Sequence, residues 1–132
     1  MNYSKAYYEV IEKNNAVRVI IAGSRDFTDY KFLEQECDHL LQNIQENIVI
    51  VSGTANGADK LGEKYAQDKG YKLDKYPANW NLYGKSAGYK RNAQMADNAD
   101  ALIAFWDGKS KGTQHMINLA TEKGLQVRVI NF

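Results

Sequence analysis

Cysteine and proline are nearly absent from this chain of 132 residues, which contains one of each. The single cysteine, Cys37, excludes an intramolecular disulfide and any zinc site built from several cysteines, and its helical register with Leu33 and Leu40 indicates a core position. No apolar run reaches the roughly 18 residues that cross a bilayer, and residues 1–15 lack the apolar centre of a signal peptide. We therefore expect a cytoplasmic protein with no metal site and no membrane partner.

An excess of charge of one sign is also missing. Seventeen basic and 16 acidic residues leave a formal net charge of +1. A general nucleic-acid binder usually carries a broad basic field, so nucleic acid is not a partner that the composition favours, although residues 85–91 form a local basic stretch. The hydrophobic fraction of 44% and the charged fraction of 25% are ordinary for a globular domain.

Short apolar runs alternate with helical patterns along the chain. The runs at 17–22, 48–51, 71–76, 101–105 and 127–130 predict five strands, and the third, which stops at Pro77, is expected near an edge. Amphipathic patterns predict helices at 29–45, 57–69, 87–99 and 113–123. This alternation predicts a single three-layer α/β/α domain over 17–132, with a mainly parallel five-stranded sheet, preceded by an N-terminal extension over 1–16.

The segments that follow four of these strands combine glycine with hydroxyl, amide and cationic side chains. Parallel strands place their carboxyl ends at one edge of a sheet, so these loops are expected to converge where such sheets bind ligands. A helix that starts there offers unpaired N–H groups and a partial positive charge, which favour a phosphate. The sequence therefore predicts a site for a nucleotide-like ligand.

Each candidate ligand-binding residue contributes a guanidinium group, a hydroxyl, an amide, a carboxylate, an aromatic ring or a backbone that can approach a ligand closely. Trp80 either stacks on a base or anchors its loop. Asp59 binds backbone donors, binds a ribose hydroxyl or compensates a helix dipole. Thr113 is expected to cap a helix whose first turn contains a neutral His115. The full set is Gly23, Ser24, Arg25, Ser52, Gly53, Thr54, Asn56, Gly57, Asp59, Trp80, Arg91, Asn92, Asp107, Gly108, Ser110, Gly112 and Thr113.

Two common phosphate-binding motifs are absent. The first strand is followed by Gly23-Ser24-Arg25 rather than by G-x-G-x-x-G, so the dinucleotide fingerprint is missing. In the second loop Ala58 stands where the P-loop pattern needs lysine, which argues against ATP hydrolysis by a P-loop.

Five motifs taken together resemble those of the SLOG superfamily, and its small YspA-like (YAcAr) branch in particular. They are Gly23-Ser24-Arg25-Asp26-Phe27, the segment 52–59, Pro77-Ala78-Asn79-Trp80, the segment 88–95 and the segment 105–113. The resemblance implies a Rossmann-like fold that binds nucleotides or nucleotide-derived ligands and forms a homodimer or a homotetramer. Relatives in the superfamily include LOG phosphoribohydrolases, the DNA-processing protein DprA and sensor domains for ADP-ribose-type signals.

One position departs from the LOG pattern P-G-G-x-G-T-x-x-E. Gly112-Thr113 match its G-T, but Met116 stands at the glutamate, and a thioether neither accepts a proton nor stabilises a cation. Asp59, Asp100 and Asp107 remain open as substitutes, and no catalytic residue is assigned.

The function we expect from the sequence is binding, for sensing or sequestration, of a nucleoside phosphate, ADP-ribose or an NAD-type molecule. We expect no other cofactor and favour binding without turnover. The alternatives are a LOG-like nucleotide phosphoribohydrolase or glycosyl-transfer enzyme, and a DprA-like binder of single-stranded nucleic acid.

Overall fold

The computed structural model describes residues 16–132, in which strands and helices alternate as predicted. The predicted N-terminal extension over 1–16 lies almost wholly outside the described residues, and the proposed domain boundary remains a prediction. The elements in chain order are β1 (Ala16–Gly23), α1 (Tyr30–Leu41), β2 (Asn47–Ser52), α2 (Ala58–Lys69), β3 (Lys72–Lys75), α3 (Trp80–Tyr83), a 3₁₀ turn (Gly84–Ser86), α4 (Ala87–Asp97), β4 (Ala101–Trp106), α5 (Lys111–Glu122) and β5 (Gln126–Asn131).

The five strands form one parallel sheet in the order β3-β2-β1-β4-β5. The predicted α/β class, the five parallel strands and the edge position of β3 are confirmed. Strand β1 is central: Val19 pairs with Ile50 of β2 on one side and with Ala101 of β4 on the other. The chain first builds outward from β1 through β2 to β3 and then returns to add β4 and β5 on the opposite side. The order of the strands therefore reverses between β1 and β4.

Alternate side chains of the central strands fill two separate cores. Val19 and Ile21 of β1 face α1 and α2, where Leu33, Cys37 and Tyr65 are fully buried. The opposite face is covered by α4 and α5, whose buried side chains include Met95 and Met116, packed against Ile20, Ala22, Val51, Leu102 and Ala104. Strands covered on both faces explain why the apolar runs are continuous rather than alternating. Cys37 lies in the first core, as its register predicted.

Several helix boundaries differ from the sequence prediction, and two of the differences concern the core or a candidate residue. Helix α1 ends at Leu41 rather than at 45, because a turn closed by the Ile44 amide on the Leu41 carbonyl already returns Ile44 to the core. Helix α5 begins at Lys111 with Ser110 as its N-cap, so the expectation that Thr113 caps the helix is wrong. His115 consequently lies beyond the first turn, contrary to the prediction.

The long segment after β3 contains structure that the sequence pattern did not reveal. Asn79 caps the four-residue helix α3 by accepting a hydrogen bond from the Leu82 amide at 3.1 Å. The 3₁₀ turn then leads directly into α4. Trp80 is half exposed in α3, so it does not anchor this segment in the core. Within residues 16–132, none of the helices is both long enough and apolar enough to cross a membrane.

We predict that the aromatic cluster around Phe105 is the main stabilising contact at the carboxyl end of β4. Phe105 is fully buried and stacks on Phe27 with ring centroids 5.0 Å apart, whereas Phe132 is half exposed and touches Phe27 only from the edge. Phe105→Ala should lower the free energy of unfolding in urea by about 3–5 kcal/mol, because it removes a large buried ring and leaves a cavity. Phe132→Ala is the matched control and should cost much less; equal losses would contradict this role.

Candidate ligand-binding cleft

A cleft lies above the carboxyl ends of β1 and β4, where the strand order reverses. Its cavity has a volume of about 220 Å³ and is bounded by the loop after β1, the loop after β2, the α3–α4 segment and the start of α5. The residues that line it are Ala22, Gly23, Arg25, Ala55, Asp59, Trp80, Lys85, Gly88, Tyr89, Arg91, Asn92, Met95, Ser110, Gly112, Thr113 and Met116.

A second cavity of about 380 Å³ adjoins the first. It lies between the β2–α2 loop and the segment after β3. Arg25, Ala55, Trp80 and Arg91 line both cavities, and the remaining lining residues of the second are Gly53, Thr54, Asn56, Pro77 and Ala78.

The loop after β1 approaches the end of β4 so closely that a side chain at position 23 cannot be accommodated. A Cβ on Gly23 would lie 2.1 Å from the Phe105 carbonyl oxygen. The next residue, Ser24, is buried, and its hydroxyl accepts a hydrogen bond from the Asp107 amide at 3.1 Å. Arg25 then follows as an exposed side chain at the cleft. Ser24 therefore joins two loops, and Arg25 is left available to a ligand.

The loop after β2 lies directly beneath a guanidinium and a carboxylate. A Cβ on Gly53 would come within 2.9 Å of Arg91 Nη1 and within 2.9 Å of Asp59 Oδ2. Arg91 Nη1 donates to the Gly53 carbonyl oxygen, and Arg91 Nε donates to Asn92 Oδ1 at 3.0 Å. A side chain at position 53 would displace the ends of these two charged side chains, which glycine leaves in place.

Burial changes the acidity of both charged groups. Asp59 is 5% exposed, and burial raises the pKa of its carboxyl to about 6, although its hydrogen bonds with the Ala55 and Gly23 amides and the charge of Arg91 act in the opposite direction. Burial also lowers the pKa of Arg91, partly offset by the attraction of Asp59. Within residues 16–132, neither Arg91 nor Arg25 forms an ion pair with a carboxylate. The cleft therefore keeps unneutralised positive charge.

The loop between β4 and α5 positions the first turn of α5 at the cleft. Asp107 Oδ1 accepts hydrogen bonds from the Lys109 and Ser110 amides, both at 2.8 Å, and these bonds lower the pKa of the Asp107 carboxyl. The Ser110 hydroxyl lies 3.1 Å from the Thr113 hydroxyl, and both residues line the cavity. Asp107 thus orders the loop while the first turn of α5 faces the cleft.

Asn92 connects α4 to α5 behind this turn. Its amide nitrogen lies 3.3 Å from the Gly112 carbonyl oxygen and 3.1 Å from His115 Nδ1, while the His115 ring meets Tyr89 edge-on at 4.4 Å. Burial lowers the pKa of His115, which agrees with the predicted neutral form. The cause differs from the predicted one, since desolvation rather than the helix dipole is the largest contribution.

The structure brings most of the candidate residues together but leaves five outside both cavities. Those that line a cavity are Gly23, Arg25, Gly53, Thr54, Asn56, Asp59, Trp80, Arg91, Asn92, Ser110, Gly112 and Thr113. Four of the others support the loops instead, namely Ser24, Ser52, Gly57 and Asp107, and Gly108 has a positive φ of 80° in the loop after β4. Ser52, for example, is fully buried and donates to Glu63 Oε2 at 2.8 Å, and a Cβ on Gly57 would meet the Ser24 carbonyl oxygen at 2.3 Å.

Nine lining residues were absent from the candidate set: Ala22, Ala55, Pro77, Ala78, Lys85, Gly88, Tyr89, Met95 and Met116. Helical spacing contains a signal for Met95, because Gly88, Arg91, Asn92 and Met95 follow an i, i+3, i+4, i+7 pattern on α4. Of the three carboxylates left open as substitutes for a LOG-type glutamate, only Asp59 lines the cleft. Asp100 lies at the opposite edge of the sheet, where its carboxylate accepts from the Arg18 amide at 2.9 Å.

A parallel sheet with a polar cleft at its point of strand reversal defines a Rossmann-like ligand-binding domain. Residues 17–83 match the family model described as YspA, cpYpsA-related SLOG family (YAcAr). The Gene 61 protein of Mycobacterium phage D29 is 34% identical over 121 residues, which are 87% of this chain and 95% of that protein. The chain belongs to the YAcAr family of SLOG proteins, so the predicted resemblance is confirmed.

Two solved structures share the fold. The DNA processing protein A (DprA) from Streptococcus pneumoniae superposes with a TM-score of 0.71 at 20% identity, over 92% of this chain and 52% of that one. The Helicobacter pylori protein gives a TM-score of 0.64 at 21% identity, over 91% of this chain and 67% of that one. This chain therefore spans about half of the S. pneumoniae protein, and at these identities the likeness concerns the fold.

The expectation that nucleic acid is a disfavoured partner is wrong. The H. pylori structure is described as showing a single-stranded DNA binding mode, so this fold accommodates nucleic acid in a relative. The expectation rested on net charge, which averages over the whole chain and overlooks a local basic stretch such as residues 85–91. At the level of the family, the comparisons support nucleotide or nucleic-acid binding.

We predict that Asp59 makes stability fall as the pH rises. Its folded pKa of about 6 exceeds the ordinary 3.8, so its contribution to stability is greatest below pH 4 and is lost as the pH rises through 6. Asp59→Asn should therefore be more stable than the parent protein at pH 8 by up to about 3 kcal/mol and similar to it at pH 4 in urea unfolding. Asp107→Asn is the control of opposite sign, because that carboxyl has a lowered pKa. A stability difference for Asp59→Asn that does not change with pH would contradict the prediction.

Proposed function

We propose that the cleft binds a phosphorylated nucleoside, such as a nucleotide, ADP-ribose or an NAD-type molecule, in order to sense or sequester it. The observation that supports this most is the pair Arg25 and Arg91, which line the cleft and form no ion pair inside residues 16–132, although the charge of Asp59 attracts Arg91. An arginine fork pairs two of its donors with two oxygens of a phosphate, which makes arginine suited to this role.

The start of α5 supports the same assignment. Gly112 and Thr113 lie in its first turn and line the cavity, and the side chain of the N-cap residue, Ser110, forms no capping hydrogen bond. Unpaired amides at a helix start attract an anion, and the Thr113 hydroxyl adds a donor beside them. A phosphate between this turn and Arg91 would therefore be held from two sides.

Trp80 supports the assignment of a base-binding surface. Its ring is half exposed and lines both cavities, which leaves a face open to stacking. Asp59 lines the first cavity, and in this proposal its carboxylate accepts a hydrogen bond from a ribose hydroxyl.

A second candidate function is binding of single-stranded nucleic acid. Trp80, Tyr83 and Tyr89 are exposed on one segment with Lys85 and Lys90, and the Lys90 ammonium lies 4.8 Å from the centre of the Tyr83 ring. Exposed aromatic rings interleaved with cations are how sequence-independent single-strand binders hold bases and phosphates. The salt dependence of the affinity distinguishes this candidate from the first. A nucleic-acid strand that contacts several cationic side chains loses affinity steeply as the salt concentration increases.

Turnover is a separate alternative, which Asp59 makes testable. Its carboxyl is the acid that borders the cleft beside Arg91, as cleavage of an N-glycosidic bond would require. Incubation with nucleoside monophosphates and with NAD, followed by chromatography, would reveal released base. Turnover abolished by Arg91→Ala would favour an enzyme over a binding protein.

We predict that Arg25→Ala, Arg91→Ala and Thr113→Val each weaken nucleotide binding by about 1–3 kcal/mol in calorimetry, through the loss of charge-assisted or hydroxyl hydrogen bonds. Arg25→Ala is the cleanest variant, because Arg25 is exposed and its removal leaves the core intact. Arg128→Ala, an exposed arginine on β5, is the matched control and should bind as the parent does. Unchanged affinity in all three cleft variants would place the site elsewhere.

A native mass spectrum of protein taken directly from cells would identify a co-purified ligand. The same spectrum measures the mass of the assembly and so tests the homodimer or homotetramer that we also propose. A monomer without any bound nucleotide would count against both proposals.

A further inference from the structure

The cleft is divided into two chambers by side chains that belong to both. The first chamber is the cavity of about 220 Å³ at α4 and α5, and the second is the cavity of about 380 Å³ at the β2–α2 loop. Arg25, Trp80 and Arg91 stand at their junction. The cationic groups therefore lie between the chambers rather than at the closed end of either one.

Gly88 lines the first chamber beside two of the shared side chains. A Cβ on Gly88 would lie 3.5 Å from the Trp80 ring and 3.6 Å from Arg91 Nη2, which are ordinary contact distances. Glycine at this position therefore leaves a small space between the Arg91 guanidinium and the edge of the Trp80 ring, on the side of the first chamber.

The second chamber has a strained wall. Thr54 has a φ of 66°, which lies in the left-handed region of backbone conformations. Among residues 16–132, it is the non-glycine residue with a positive φ. Its amide donates to the Ser52 hydroxyl at 3.1 Å, and that hydroxyl donates to the buried Glu63 carboxylate at 2.8 Å. Such conformations persist where the surrounding structure enforces them, and they are frequent at ligand sites.

We propose that the cleft binds two nucleosides bridged by phosphate, with one nucleoside in each chamber, the bridging phosphate between Arg25 and Arg91, and Trp80 beside both bases. The proposal rests on the proposed function and makes it more specific. The first chamber is smaller than the roughly 300–1,000 Å³ of an ordinary ligand site and the second lies near the lower end of that range, so a ligand with two nucleosides needs both chambers. A mononucleotide fills one chamber and leaves the other empty.

Two kinds of molecule contain this chemistry. A small dinucleotide joins two nucleosides through a 5′,5′-diphosphate, and two successive units of a single strand are joined through a 3′,5′-phosphate. Both present anionic oxygens midway between two bases. This matches the cleft, where the guanidinium groups of Arg25 and Arg91 and the ring of Trp80 lie between the two chambers.

The test compares three probes for each of the four common bases by calorimetry at fixed salt. They are the nucleoside 5′-monophosphate, the symmetrical dinucleoside 5′,5′-diphosphate and the 5′-phosphorylated 3′,5′-dinucleotide. We expect at least one two-nucleoside probe to bind tenfold or more tightly than its monophosphate. If the 5′,5′-diphosphate probe binds more tightly, the ligand is a small molecule. If the 3′,5′-dinucleotide binds more tightly, the ligand is a nucleic-acid strand.

A variant that fills the second chamber completes the test. Ala78 lines that chamber and not the first, so Ala78→Leu should reduce the ratio of the two affinities from tenfold or more to about one. Ala16→Leu, at the opposite edge of the sheet, is the matched control and should keep the ratio. Thermal unfolding of both variants checks their folding.

The outcomes separate the two proposals. Equal affinities of the parent protein for monophosphates and for two-nucleoside probes would overturn the two-chamber proposal. The proposed function would still stand. Tenfold tighter binding that Ala78→Leu does not reduce also overturns it, because the second nucleoside then lies elsewhere. No binding of any probe overturns the proposed function together with this inference.

Discussion

The reversal of strand order between β1 and β4 is the constraint from which the site follows. Chain connections leave β1 toward α1 on one face of the sheet and leave β4 toward α5 on the other, so the two loops diverge and a crevice opens between them. The Ser24 amide donates to the Phe105 carbonyl oxygen at 2.9 Å and the Asp107 amide to the Ser24 hydroxyl, so the floor of the crevice is fixed by hydrogen bonds between its two sides. Arg25 and the first turn of α5 then stand on opposite rims.

The charged groups of the cleft destabilise the fold, and the proposed binding role supplies a reason for that cost. A carboxylate and a guanidinium that are removed from water lose solvation, and the raised pKa of Asp59 together with the lowered pKa of Arg91 records that loss. The left-handed backbone of Thr54 adds a further cost. A sequence selected for stability alone would place apolar side chains at these positions. In this fold the cost falls on residues that line the two chambers.

Much of the architecture could be predicted from the sequence, because buried parallel strands are continuous apolar runs and the loops that follow them contain glycine. The convergence of the loops could be predicted from the rule that parallel strands end at one edge of the sheet. The sequence did not reveal which loop residues line the cleft and which bond to neighbouring loops. Ser24, Ser52 and Asp107 have the same chemistry as residues that contact ligands, but their short side chains bond to neighbouring loops, and only coordinates distinguish the two uses. Helix α3 escaped prediction because a four-residue helix has too few positions to show a period.

The most direct test of the central claim is to follow backbone amide resonances by NMR during titration with a nucleotide. A phosphate held between the arginines and α5 should shift the amides of Gly23, Gly53, Gly112 and Thr113 in a saturable way, while those of Asn47 and Gln126 at the opposite edge of the sheet stay in place. Saturable shifts confined to that opposite edge, or no shifts at millimolar nucleotide, would contradict the account.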